Sequence, residues 1–222
     1  MAPSVSILQL DTGFPRVSGD VACPETYMEA VDVIRVRAAT VSRIVSHKPQ
    51  DIDIAPFEQA VQAAKGDVIV TSCGFLSYWQ DHLAALTSKP FVSSALTALP
   101  RLSEAHAPGE VLILTFDEDS LTPAHLGAAR AYAPGIVGLP KKMHLRQVIA
   151  SDSAMLDTDR ARDELAAFIA SEQTPNHRHL LLECTNLPPY KSALRSATGL
   201  EVTDILTLIE DARPGTVRPD HL

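Results

Sequence analysis

The stretch Leu180-Leu-Leu-Glu-Cys-Thr-Asn-Leu-Pro-Pro-Tyr190 decides how this chain is read. Three consecutive leucines predict a buried strand. Cys184 stands where that strand should end, Thr185 and Asn186 follow, and Pro188-Pro189 can open a helix because proline suits a first turn. Val68-Ile-Val-Thr-Ser-Cys-Gly-Phe75 repeats the scheme about 110 residues earlier, with an apolar strand, the hydroxyls of Thr71 and Ser72, then Cys73 and Gly74 for a tight turn. Two cysteines are thereby expected at two strand-to-helix junctions.

Outward from these stretches, strands and helices alternate. Val5–Leu10 reads as a buried strand ending at Asp11-Thr12-Gly13, followed by a turn-rich loop from Phe14 to Pro24. A long loop directly after a first strand is more often functional than idle. Val31–Val36 is read as a strand, although Glu25–Val33 also suits a helix. Ala55–Ala64 is helical and closed by Gly66. A helix is expected over Phe75–Leu86, a short strand over Pro90–Val92, and a helix over Ser94–Leu102 with Pro100 disturbing its last turn. Glu110–Phe116 and Ile136–Leu139 are strands, and Thr122-Pro123 starts a helix between them. Asp157–Ser171 is the clearest helix. A strand at Glu201–Thr203 and a helix from Asp204 to Ala212 close the pattern, before a tail over Arg213–Pro219 expected to fray.

This alternation predicts an α/β protein with mainly parallel sheets. Val92, Leu96 and Thr97 recur as Val202, Leu206 and Thr207, while Ile7-Leu8 and Asp11 recur as Ile113-Leu114 and Asp117. The offset of the first set, 110 residues, is close to the 111 between the cysteines, and the pattern reads as a duplication. Ligands in such sheets bind outside the carboxyl ends of the strands, so the two cysteines are expected to face each other across a cleft.

The formal net charge of −8 argues against nucleic acid or an anionic membrane as a partner. Three cysteines without close spacing predict a reducing compartment rather than a disulfide framework. The start, Met1-Ala-Pro-Ser-Val, lacks the pattern of a signal peptide, and no apolar run is long enough to span a bilayer. A cytoplasmic protein is the expectation.

Opposed thiols suit proton transfer at the α-carbon of a carboxylate substrate, one ionised and one protonated. A thiol pKa of about 8.5 can be shifted at a helix N-terminus, and two close thiolates repel and titrate as a pair. Cys73 and Cys184 are the candidate catalytic pair. Helix N-termini offer N–H groups to a carboxylate. Thr12, Ser72, Gly74, Ser93, Thr185 and Asn186, with Thr203, are candidate substrate contacts, and Asp11 can orient or deprotonate a thiol or hold the substrate ammonium. Arg16 can clamp a carboxylate, though an exposed arginine is usually only solvated. Glu183 is excluded, because alternation along the strand aims it away from Cys184. Cys23 reads as incidental, and His177 and His179, with no third ligand, as a strand start.

Together, Asp11-Thr-Gly13, Thr71-Ser-Cys-Gly-Phe75, Ser120-Leu-Thr-Pro-Ala-His125 and Glu183-Cys-Thr-Asn-Leu-Pro188 resemble the aspartate/glutamate racemase superfamily, which also includes hydantoin racemase, maleate isomerase and arylmalonate decarboxylase. The resemblance implies two pseudo-symmetric three-layer α/β domains with the active site between them. The first would hold residues 1–95 plus 204–222 with Cys73, and the second residues 96–203 with Cys184. It further implies no cofactor and no metal, a small carboxylate substrate, and a homodimer in many members. Amino-acid racemases often carry a histidine or acid where this chain has Asn186, and the loop Phe14–Tyr27 departs from that of glutamate racemases. Both departures bear on the substrate. Decarboxylases keep one cysteine and this chain has both, which favours racemisation, epimerisation or cis–trans isomerisation; the expected activity is racemisation or epimerisation of a small amino acid or related carboxylate of the aspartate or glutamate type. The alternatives are a maleate-type cis–trans isomerase with a nucleophilic cysteine and a relative that only binds its ligand.

Overall fold

The computed structural model describes residues 3–222, so Met1 and Ala2, the start of the segment read as lacking a leader, lie outside it. In the first half, β1 (Val5–Leu10), β2 (Val31–Val36), α1 (Val41–Ile44), α2 (Ala55–Ala63), β3 (Val68–Thr71), α3 (Gln80–Ala84), β4 (Phe91–Val92) and α4 (Leu99–Leu102) follow in order. The second half runs β5 (Val111–Thr115), α5 (Pro123–Leu126), β6 (Ile136–Gly138), α6 (His144–Ser151), α7 (Thr158–Glu172), β7 (His179–Leu182), α8 (Lys191–Thr198), β8 (Glu201–Thr203) and α9 (Ile205–Ala212).

Each half builds one four-stranded parallel sheet, ordered β2-β1-β3-β4 and β6-β5-β7-β8. The identical order is the three-dimensional form of the sequence repeat. In both sheets the cysteine-bearing strand, β3 or β7, lies beside the first strand of its half. The central strands are apolar at nearly every position because they are covered on both faces. Val111 through Leu114 and Leu180 through Leu182 are all buried.

Helices follow from caps and apolar spacing. The Asp157 side chain accepts from Arg160 N at 3.0 Å, and α7 buries Ala161, Leu165 and Ile169, four residues apart on one face. Asp204 likewise caps α9 by accepting from Thr207 N at 3.0 Å. The apolar face of α9, Ile205, Leu206 and Ile209, packs with Val5, Ile7, Val68, Val70 and Val92 of the first sheet. The last helix of the chain thus returns to the strands that begin it.

Several local expectations are corrected. The helix over 75–86 is a 3-10 helix at Gly74–Trp79 followed by the short α3; the aromatic residues Phe75, Tyr78 and Trp79 are weak helix formers. Ser94–Leu102 divides into a 3-10 helix at Ala95–Ala98 and α4. Pro100 stands in the first turn of α4, where its missing N–H costs nothing, rather than disturbing a last turn. The helix α6 was not anticipated, although Leu145, Val148 and Ile149 carry helical spacing. The tail does not fray: Thr216 and Val217 are buried, Tyr27 bridges to Val217, and Lys191 Nζ donates to His221 O at 2.9 Å. Among the described residues, no helix is long and apolar enough to cross a membrane.

Candidate active site

Both cysteines sit just beyond their strands, and cross-domain hydrogen bonds hold the two turns together. Thr185 Oγ1 donates to Ser72 O at 2.7 Å, tying the Cys184 turn to the Cys73 turn. Ser72 Oγ in turn accepts from Leu10 N at 3.0 Å, fixing its own turn to the end of β1. On another side, Asp152 after α6 accepts from Gly13 N and Phe14 N at 2.7 and 2.9 Å. One narrow cavity lies between these links. Cys73, Cys184, Ser72, Gly74, Thr185 and Asn186 line it, and Leu10, Phe14, Phe75, Phe116 and Ile149 supply its apolar walls.

A polar chain runs from the loop of the first half to the second cysteine. Arg16 Nη2 donates to Thr12 Oγ1 at 3.1 Å, Arg16 Nη1 pairs with Asp20 at 3.2 Å, and Asn186 Nδ2 donates to Asp20 Oδ2 at 2.7 Å. The Cys184 thiol points at Asn186 Oδ1, 3.8 Å away. The guanidinium lies 4.3 Å from the centre of the Phe14 ring, and its buried Nε–H has no partner among the described residues. Arg16 is therefore not the solvated surface residue that its loop suggested. Thr12 serves Arg16 and is not itself in the cavity wall.

Burial pushes the Cys73 thiol up to about 12, with the Glu183 carboxyl adding to the rise, while the Phe75 N–H and the Arg16 charge act in the opposite direction. Cys184 is raised further, again by burial first and Glu183 second, opposed by the Asn186 N–H. Burial thus favours the neutral form of both thiols. The Cys23 thiol is elsewhere, donating to Glu25 Oε2 at 3.0 Å.

Three placements depart from expectation. Asp11 faces outward, accepting from Arg35 Nε at 2.6 Å and Ala38 N at 2.8 Å, contacts that hold its carboxyl below the usual range; it lies outside the cavity wall. Ser93 is also outside it, with its N and Oγ both bonded to Gln80 Oε1 at 2.8 and 2.7 Å. Thr203, on β8, bonds the His179 ring at 2.9 Å. A fourth departure is the residue that sequence reasoning set aside. Glu183, directly after β7 and with its N–H bonded to Leu114 O at 2.9 Å, lines the cavity and is fully buried.

Glu183 and Gly74 are in close contact. A Cβ on Gly74 would collide with Glu183 Oε1 and come within 2.5 Å of Glu183 O. Glycine is thus required here for lack of space, not for an unusual φ. Gly74→Ala is expected to destabilise the protein by about 1–3 kcal/mol through overpacking. A urea midpoint equal to that of the parent would refute this packing.

No family model matches the chain. In sequence it is similar to curated dimethylsulfoniopropionate lyases. It is 29% identical over 224 residues to dimethylsulfoniopropionate lyase 5 of Emiliania huxleyi, covering 94% of this chain and 44% of that protein. The corresponding enzyme of Durusdinium sp. clade D is 27% identical over 215 residues, with 91% and 71% covered. Lyase 3 of Emiliania huxleyi is 31% identical over 226 residues, with 92% and 57% covered. The chain thus spans about half the length of the Emiliania relatives. Among solved structures, allantoin racemase from Pseudomonas fluorescens superposes with a TM-score of 0.62 at 11% identity, over 94% of this chain and 88% of that one. Glutamate racemase from Francisella tularensis gives 0.54 at 12% identity, over 95% and 78%. The two-domain α/β fold is therefore that of the racemases, and at these identities the likeness carries the fold alone. The expectation of an amino-acid racemase, and with it that of an isomerase, is overturned: the relatives that share sequence with this chain along its length are carbon–sulfur lyases.

Proposed function

We propose that this protein is a lyase that eliminates a sulfide from a small β-sulfonio carboxylate of the dimethylsulfoniopropionate type. The observation that carries this reading is the inventory of the cavity. It holds two thiols, one guanidinium N–H without a partner among the described residues and one carboxyl, beside Ser72, Thr185 and Asn186 and against the apolar walls of Leu10, Phe14, Phe75, Phe116 and Ile149. The substrate's carboxylate suits the free Nε–H of Arg16. Its sulfonium methyl groups suit the Phe and Leu walls, and its positive sulfur brings a cation next to thiols that lack one.

That cation changes which form of cysteine is favoured. A positive charge within about 4–6 Å lowers a neighbouring acid's pKa by roughly 1–3. Substrate binding thus offsets part of the burial that keeps the thiols neutral. Cys73 is assigned as the base: Arg16 favours its anion, and its thiol has no side-chain acceptor among the described residues, whereas that of Cys184 is directed to Asn186. The Cys73 thiolate takes the proton from the carbon next to the carboxylate. The C–S bond breaks, its electron pair leaves with the sulfide, and an acrylate remains beside a neutral thiol. Cys184 stays protonated and faces the developing negative charge as a donor.

The test is direct. Purified protein incubated with dimethylsulfoniopropionate is expected to release dimethyl sulfide, measured by gas chromatography, with an equal amount of acrylate by proton NMR. Recovery of unchanged substrate at high enzyme concentration would defeat the proposal.

A further inference from the structure

Glu183 is a buried carboxyl without a counter-ion. Its Oε2 accepts from Thr115 Oγ1 at 2.6 Å, its Oε1 has no partner among the described residues, and its neighbour across the turn is the backbone of Gly74. No lysine, arginine or histidine pairs with it among the described residues. The Thr115 bond alone does not explain an acid, since an amide oxygen would accept it equally well. A buried ionisable group left half-satisfied is costly, and such groups concentrate where protons move.

The elimination proposed above has a proton problem. Cys73 must lose its own proton before it can take one from carbon, and each turnover leaves a proton on it again. Among the residues lining the cavity, the titratable groups besides the two thiols are Arg16 and Glu183. Arg16 stays charged and cannot accept a proton. Asp20 is occupied by Arg16 and Asn186, while Asp117 and Arg146 pair with each other, Arg146 lying over the Phe116 ring. His125 stands behind Phe75, edge-on to its ring, and burial pushes it down to about 4.

We propose that Glu183 is the proton acceptor that activates Cys73 and carries its proton out of the site, an assignment that rests on the lyase reading. In the resting site the thiol is neutral and the carboxyl ionised. When the sulfonium zwitterion binds, the proton passes from Cys73 Sγ to Glu183, giving a thiolate and a neutral carboxyl. Thiol and carboxyl are not directly hydrogen-bonded, so the transfer runs through a water. The thiolate then takes the α-proton as the sulfide leaves with the C–S electron pair. After the products depart, the neutral carboxyl gives its proton to solvent. One proton is released per substrate consumed, and the site returns to its starting charge.

Burial holds Glu183 up at about 7, partly opposed by the Thr115 hydroxyl. Sulfide release by the wild type is therefore expected to fall as pH drops through about 7. Glu183→Gln should slow turnover by about 10²-fold and abolish that acid limb. Thr115→Val removes the opposing hydrogen bond, so the limb should move to higher pH while the carboxyl is retained; this variant serves if Glu183→Gln does not fold. A substrate-free readout separates failure of this assignment from failure of the lyase reading. Alkylation of Cys73 by iodoacetamide at pH 8.5, located by peptide mass spectrometry, should rise about tenfold in Glu183→Gln, because the ionised carboxyl no longer opposes the thiolate. An acid limb unchanged in Glu183→Gln or in Thr115→Val, or an unchanged alkylation rate, would overturn the assignment. Absence of sulfide release by the wild type together with the faster alkylation would instead overturn the substrate while leaving the Glu183–Cys73 coupling in place.

Discussion

Cys73→Ala is expected to lower the rate of sulfide release by about 10²–10⁴-fold, the usual worth of a positioned general base. KM should change little, because a thiol contributes few contacts and the carboxylate would still meet Arg16. Cys73→Ser should be nearly as impaired: an alcohol is far harder to ionise than a thiol, and burial already raises even the thiol to about 12. Cys184→Ala should cost less, since that residue is assigned a donor role with its thiol directed to Asn186 Oδ1. Steady-state kinetics on the three variants check this ranking. Retention of more than a third of wild-type kcat by Cys73→Ala would remove it from the mechanism, and a larger loss in Cys184→Ala would exchange the roles of the two cysteines.

Lys191→Ala is expected to cost about 3–5 kcal/mol of stability. Lys191 Nζ lies 2.8 Å from Asp204 Oδ2, with side chains 5% and 0% exposed, so the pair is cut off from water. The carboxylate is already committed on its other oxygen, where Asp204 Oδ1 caps α9. Removing the lysine therefore strands a buried anion beneath a helix that covers the first sheet, and it also frees the tail held at His221 O. The arrangement joins the start of α8 in one half to the start of α9 on the other. The double variant Lys191→Met with Asp204→Asn should recover much of the loss, because a buried ion pair replaced as a unit is often close to neutral. Urea unfolding measures both. A single variant within 1 kcal/mol of wild type would show that water reaches the pair.

Much of the fold was legible because its signals are local. Val68–Thr71 and Leu180–Leu182 are apolar runs that only a strand buried on both faces would carry, and each is closed by a turn with its own chemistry. The repeat, the cysteine turns and the cavity positions of Ser72, Gly74, Thr185 and Asn186 all follow from that pattern. Asp11 was misplaced because a residue at a strand's end can turn either way, and Arg35 on the neighbouring strand drew it outward. Ser93 was misplaced because Gln80, thirteen positions earlier, competes for its hydroxyl.

Glu183 marks the boundary between the two kinds of information. Its strand alternation was readable, but the exact residue at which β7 stops depends on pairing with β5 and β8, contacts made by distant parts of the chain. Arg16 is a similar case: nothing nearby in sequence shows that Asp20 will pair it, or that Asn186 of the other half will hold Asp20 in place. The racemase expectation is overturned by the sequence relatives, and two thiols do not by themselves choose a reaction, because the choice lies in what surrounds them. The sequence by itself determined two α/β halves, each delivering a cysteine at the carboxyl end of a central strand, because apolar runs, turn residues and caps act over a few neighbouring positions. Only the tertiary structure decided that a guanidinium, a carboxyl and aromatic walls share the space between those cysteines, because burial, charge pairing and the loss of water are properties of surfaces brought together from far along the chain.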